Sequence, residues 1–152
     1  MTYLAAEARQ QLLDDLALAI EELATALAVL GAAYELLDER TADRLEAELF
    51  RGVQTAYGRA QRTHAAFAAR YNLEGRSFEQ PSPGLPSQGA RRFLERAGEA
   101  IAEADTALAE LQDSLLPVEV GDPELRAGLA EVRSLVADLQ GRARQFVRTF
   151  GR

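Results

Sequence analysis

The stretch Leu16–Leu37, LALAIEELATALAVLGAAYELL, decides the fold. Its large apolar residues recur at alternating spacings of three and four, from Leu16 and Ile20 onward to Tyr34 and Leu37. This period is typical of an amphipathic helix that packs in a coiled-coil-like manner. The uncharged part, Leu23–Tyr34, is rich in alanine and too short to span a bilayer, so we expect no membrane insertion.

Three further segments repeat the same period, and none alternates as a strand does. Their apolar stripes run from Phe50 to Tyr71, from Ala90 to Leu115 and from Leu125 to Phe150. The sequence therefore predicts an all-α fold, an antiparallel up-down-up-down four-helix bundle formed by one domain over 1–152. The predicted helices cover about residues 2–37, 42–71, 87–116 and 123–150.

Capping residues and prolines mark most of the helix boundaries. Asp122-Pro123-Glu124 is a strong helix start, because an aspartate caps free amides and proline suits the first helical position. Ser87 and Thr41 are the candidate caps of the third and second helices. The proline-containing linker 72–86 cannot be helical throughout. The first connection has neither glycine nor proline, so a continuous helix over 2–71 is the alternative to a hairpin.

Composition excludes several classes of function. The 152-residue chain has no cysteine, which excludes disulfides and thiolate metal sites and suits a cytoplasmic location. The formal net charge of −7 disfavours non-specific attraction to nucleic acid or anionic lipid. All 17 basic residues are arginines, which indicates either coding bias or recognition of phosphate or carboxylate groups.

Under the up-down-up-down order, most arginines and aromatic residues collect at the end of the bundle that holds the linker and both termini. Compensation of helix dipoles does not explain this, since Arg91 and Arg92 would lie at the unfavourable start of a helix. Arginine and aromatic side chains dominate interface energetics. The sequence thus predicts a binding surface that consists of Arg59, Arg62, Tyr71, Phe78, Arg91, Arg92 and Arg144.

The single histidine, His64, is a candidate for acid–base chemistry, and its position on an apolar stripe favours a half-buried structural role. The spacing Arg59-x-x-x-x-His64 resembles the signature of HEPN-type ribonucleases and nucleotide-binding domains. The resemblance implies that Arg59 holds a phosphate and that His64 moves a proton, at a dimer interface. It covers two residues, and Ala60 stands where that family often has a polar residue. No Glu-x-x-His motif is present, so we expect neither a metal site nor a cofactor.

Three functions remain open at this point. The first is a non-enzymatic interaction or scaffold protein, a homodimer or the binder of another protein, that acts through the arginine- and aromatic-rich end. The second is a nucleic-acid or nucleotide-binding module, with or without cleavage by His64. The third is a carrier of an apolar ligand in the bundle core.

Overall fold

The computed structural model describes residues 2–150, with side chains from Ala5 onward. Every regular element in this range is helical. The helices are α1 (Thr2–Leu36), α2 (Glu39–Leu45), α3 (Arg51–Arg70), α4 (Ala90–Asp113), α5 (Leu116–Val120) and α6 (Pro123–Thr149). A π-helical turn, Glu46–Phe50, joins α2 to α3 without a break, and a 3₁₀ turn, Pro86–Gln88, precedes α4. The all-α prediction is confirmed.

The chain turns sharply between α1 and α2, so the first two predicted helices are separate. Asp38 caps α2: one carboxylate oxygen accepts a hydrogen bond from the Thr41 amide at 2.8 Å, and the other accepts from the Thr41 hydroxyl at 3.1 Å. These bonds hold the pKa of Asp38 below its ordinary value. Thr41 was therefore the wrong choice of cap, because it supplies the amide that the cap binds.

The π-helical turn explains which residues of the second predicted stripe enter the core. Leu45, Leu49 and Val53 are all buried, although two successive spacings of four advance an ideal α-helix by about 80° relative to two full turns. The wider turn absorbs this excess and keeps the three side chains on one face. Phe50 and Tyr57, which the sequence placed on the apolar stripe, are only half-buried as a result.

The predicted up-down-up-down order is wrong. Leu36 at the end of α1 and Ala90 at the start of α4 line one small cavity together with Phe150 at the end of α6. At the other end of the bundle, Arg70 of α3 forms an ion pair with Asp122 at the start of α6. The helices α3 and α4 therefore run in the same direction, and the order is up-down-down-up.

The connection between α3 and α4, residues 71–89, consequently runs along the bundle, and we call it the strap. Near its start Arg76 pairs with Glu21 of α1, and Phe78 packs on His64 of α3. Near its end, the Pro83 carbonyl oxygen accepts a hydrogen bond from Arg96 of α4 at 2.6 Å. Because α1 packs between α3 and α4 and the strap contacts α1 through Arg76 and Glu21, the strap crosses the outer side of α1.

Burial from two sides accounts for the strongly apolar composition of α1. Its buried residues include Ala17, Ala24 and Ala28, which lie outside the stripe that faces the other helices. The segment Ala5–Leu36 is long and apolar enough to cross a membrane, with a mean hydropathy of 1.8 in its most apolar window. The bundle buries 67% of that window. The composition therefore has an explanation within the fold.

Two glycines of α6 make a matched test of the α3–α6 packing. A Cβ on Gly128 would lie 2.7 Å from the Thr63 hydroxyl oxygen, whereas a Cβ on Gly141 would meet nothing within 4 Å. We expect Gly128→Ala to lower the free energy of unfolding by about 1–3 kcal/mol. Gly141→Ala should raise it by up to about 1 kcal/mol through helix propensity. Urea unfolding measures both changes, and equal effects of the two substitutions would contradict the packing described.

Candidate functional site

The reversed direction of α4 divides the predicted arginine- and aromatic-rich end. Arg91 and Arg92 lie at the same end as the α1–α2 turn, and Arg91 donates a hydrogen bond to the Phe150 carbonyl oxygen at 2.9 Å. Tyr71 lies at the opposite end, under the guanidinium of Arg9. The predicted binding residues therefore do not form one surface, because the sequence argument assumed the wrong order of helices.

The two residues that resemble the HEPN signature do not share a site. Arg59 forms an ion pair with Glu131 of α6. His64 is buried, at 3% exposure, and its ring meets the Phe78 ring edge-on with centroids 5.3 Å apart. Burial, followed by the nearby Arg76 guanidinium, lowers the pKa of His64, so the ring is neutral at pH 7. Arg59 therefore contacts α6, whereas His64 contacts the strap.

Arg62 and Phe78 likewise have separate surroundings. Arg62 is exposed on α3 and makes no ion pair within residues 5–150. Phe78 belongs to the strap, where the Arg76 guanidinium lies 4.8 Å from its ring centroid. Phe78 thus contributes to the attachment of the strap and not to an open binding surface.

Arg92 and Arg144 are the two predicted binding residues that the structure brings together across helices. They border a groove between α4 and α6, with a volume of about 760 Å³. We call it the α4–α6 groove. Its floor consists of small or half-buried apolar residues: Gly98, Ala102, Ala143 and Val147.

The two helices approach closely along this floor. A Cβ on Gly98 would lie 4.0 Å from the Ala143 Cβ, which is ordinary van der Waals contact. Larger residues at these positions would fill the groove and leave a convex surface. The small residues of α4 can be identified from the sequence, but the sequence does not show that Ala143 of α6 faces them.

The two rims of the α4–α6 groove carry opposite charge. The α4 rim includes Glu95 and Glu99, and the α6 rim includes Arg144 and Arg148. Arg92 donates a hydrogen bond to Glu99 at 3.2 Å and so is neutralised within its own helix. The predicted binding residues did not include the two glutamates or Arg148, since the prediction grouped residues by their position along the bundle and not by rim.

Most of these rim charges have no counter-ion among the described residues. Among the described residues, Glu95 and Arg144 make no ion pair and no side-chain hydrogen bond. Arg148 bonds only the Gln145 amide oxygen, at 2.6 Å. The α4–α6 groove therefore offers an apolar floor between an acidic rim and a basic rim that are both open to a partner.

No group of three or more histidine, aspartate or glutamate side chains within the described residues is close enough to hold a metal ion. Comparisons with protein-family models, with curated proteins and with solved structures find no match to this chain. The structural class is therefore an all-α protein with packed helices, and its function has to be inferred from the groove itself.

Proposed function

We propose that this chain is a non-enzymatic interaction protein that forms a two-fold homodimer through the α4–α6 groove. The observation that carries the proposal is the opposite charge of the two rims. A two-fold axis that runs along the groove, parallel to the helices, sets α4 of one chain against α6 of the other. Each acidic rim then faces a basic rim.

The positions of the charged residues along the bundle axis fit this pairing. A rotation about an axis parallel to the helices leaves the position of each residue along the bundle unchanged. Gly98 of α4 lies level with Ala143 of the antiparallel α6, so Glu95 and Arg144 differ by only about 3 Å, roughly half a helical turn, along the axis. An arginine side chain bridges that distance. Glu95 and Arg144 would thus gain the partners that each lacks among residues 5–150 of its own chain.

The apolar floor supports close approach of the two chains. Gly98, Ala102 and Ala143 are small. The helices α4 and α6 of one copy can therefore pack closely against α6 and α4 of the other copy. The glutamates also disfavour a nucleic acid in this groove, because they would face phosphates. A catalytic role for the groove has no support, since the only histidine lies under the strap.

Exchange of the two partnerless charges tests the proposal. We expect Arg144→Glu, and separately Glu95→Arg, to convert the dimer to a monomer, because like charges then face each other across the axis. The double variant Glu95→Arg with Arg144→Glu should restore the dimer. Analytical ultracentrifugation at low ionic strength measures the mass of each species.

Arg62→Glu is the matched control, since Arg62 is an exposed arginine of α3 that makes no ion pair within residues 5–150 and does not line the groove. It should leave the dimer intact. A wild-type chain that sediments as a monomer at all concentrations would overturn the proposal. So would a dimer that persists in both single variants, because the interface would then lie elsewhere.

A further inference from the structure

A second pocket lies on another part of the bundle, where the end of α1 faces the π-helical turn. Its volume is about 250 Å³. The residues that line it are Gly31, Tyr34, Glu35, Glu46, Phe50 and Gln54. We call it the π-turn pocket. It combines aromatic rings with carboxylates and has no basic residue in its lining, which sets it apart from the α4–α6 groove.

The two rings stand at right angles. The centroids of Tyr34 and Phe50 are 6.4 Å apart, and their planes make an angle of 88°. The edge of one ring meets the face of the other, as aromatic pairs prefer. Each ring keeps a face that the other ring does not cover, and ring faces are the groups on which proteins bind quaternary ammonium groups.

The electrostatic surroundings favour a cation. Glu35 and Glu46 are both exposed at the edge of the pocket. Glu46 forms an ion pair with Arg51 at 3.8 Å, and 70% of the Arg51 side chain is exposed to solvent. Glu35 makes no ion pair within the described residues. The pocket therefore has one carboxylate, Glu35, without a counter-ion among the described residues, and a second, Glu46, whose ion pair is long and exposed to solvent.

The backbone keeps this site open on both sides. A Cβ on Gly31 would meet nothing within 4 Å, so α1 leaves space at this point. On the other side, the π-helical turn places Leu49 in the core and Phe50 on the flank that faces Tyr34. Turns of this kind occur frequently at functional sites.

We propose that the π-turn pocket binds a small organic cation of the alkylammonium class, with a trimethylammonium group held against the uncovered ring faces of Tyr34 and Phe50. The carboxylates of Glu35 and Glu46 stabilise the charge from the rim. This site is independent of the dimer proposal, because it shares no residue with the α4–α6 groove.

A titration with choline, followed by amide NMR shifts of the ¹⁵N-labelled protein at constant ionic strength, tests the proposal. The neutral isostere 3,3-dimethylbutan-1-ol is the parallel probe, since it has the same shape without the charge. We expect choline to shift the amides of Gly31 and Gln54 and to bind at least about tenfold more tightly than the alcohol.

Glu35→Gln combined with Glu46→Gln should weaken choline binding about tenfold and leave binding of the alcohol unchanged. The matched control is Glu48→Gln, because Glu48 lies in the same π-helical turn but pairs with Arg44 outside the pocket. Equal affinity for choline and the alcohol would overturn the proposal. So would an absence of amide shifts at the pocket, or an equal loss in the Glu48 variant.

Discussion

Substitution of Asp122 by alanine is expected to lower the free energy of unfolding by about 2–4 kcal/mol. The Asp122 carboxylate accepts hydrogen bonds from Arg70 Nε and Nη2 at 2.9 and 2.8 Å, and from the Leu125 amide at 2.9 Å. The residue is only 4% exposed. One side chain thus caps α6, as the sequence predicted, and also fastens the end of α3 to it.

Urea unfolding at pH 7 measures this loss. Asp138→Ala is the control, because Asp138 forms an exposed ion pair with Arg142 on the same helix and should cost less than about 1 kcal/mol. Equal losses in the two variants would show that the bonds of Asp122 contribute little beyond a surface pair.

The pH dependence of the Asp122 variant has a defined sign. Burial alone would raise the pKa of Asp122, but hydrogen bonds from Arg70, the Leu125 amide and Tyr71 outweigh it and hold the pKa below its ordinary value. The stabilisation is therefore present above pH 4 and is lost as the pH falls through the pKa of the folded state. We expect the difference between wild type and Asp122→Ala to shrink only in that acidic range.

The second expected effect is a loss of stability on mild acidification, caused by His64. Its pKa in the folded chain lies below the ordinary value of 6.5, because burial and then Arg76 disfavour the charged ring. The Asp14 carboxylate and a hydrogen bond with the backbone of Leu13 act in the opposite direction and do not cancel the shift. The unfolded chain consequently binds a proton at a higher pH than the folded chain does.

Neutral His64 makes its full contribution to the free energy of unfolding above the pKa of the unfolded chain, near 6.5. The contribution falls as the pH drops from there towards the pKa of His64 in the folded chain. Each unit of difference between the two pKa values corresponds to about 1.4 kcal/mol. Urea unfolding between pH 8 and pH 5 should show this loss in wild type. His64→Leu should remove it, because the chain has no other histidine. An unchanged pH profile in the variant would contradict the burial of the ring under the strap.

The sequence was sufficient for the helices but not for their directions. The period of three and four located the four long helices, and Asp122 was identified correctly as a cap. Periodicity carries no information on direction. The strap has 19 residues, which reach about 60 Å when extended, whereas α4 is about 36 Å long. The linker was therefore long enough for either order.

One feature of the sequence indicated that a segment crosses the outer side of α1. The apolar residues of α1 include Ala17, Ala24 and Ala28, which widen its apolar arc beyond what the other helices cover. An arc of this width indicates that a further segment packs on the outer side, and the strap is the segment available. Ser87, predicted as the cap of the third helix, lies instead in the 3₁₀ turn, and α4 begins after Gly89.

The candidate site depended on which helices are neighbours, and the period of the apolar residues does not give that information. Arg92 and Arg144 were chosen for their place at one end of a bundle, and they do lie together, although for a different reason. The two belong to adjacent antiparallel helices whose small residues, Gly98 and Ala143, bring the rims close. Pairings of this kind follow from which helices are neighbours, and a single sequence does not state that.

The direction of α4 underlies the groove, its rims and the proposed dimer, and one distance tests it. The chain has no cysteine, so Glu39→Cys with Arg91→Cys allows two specific spin labels. Pulsed electron paramagnetic resonance, on labelled protein diluted with unlabelled protein, measures their separation within one chain. The up-down-down-up order predicts a separation below about 30 Å; an up-down-up-down order would add the length of α4 and give about 40 Å or more, which would contradict it.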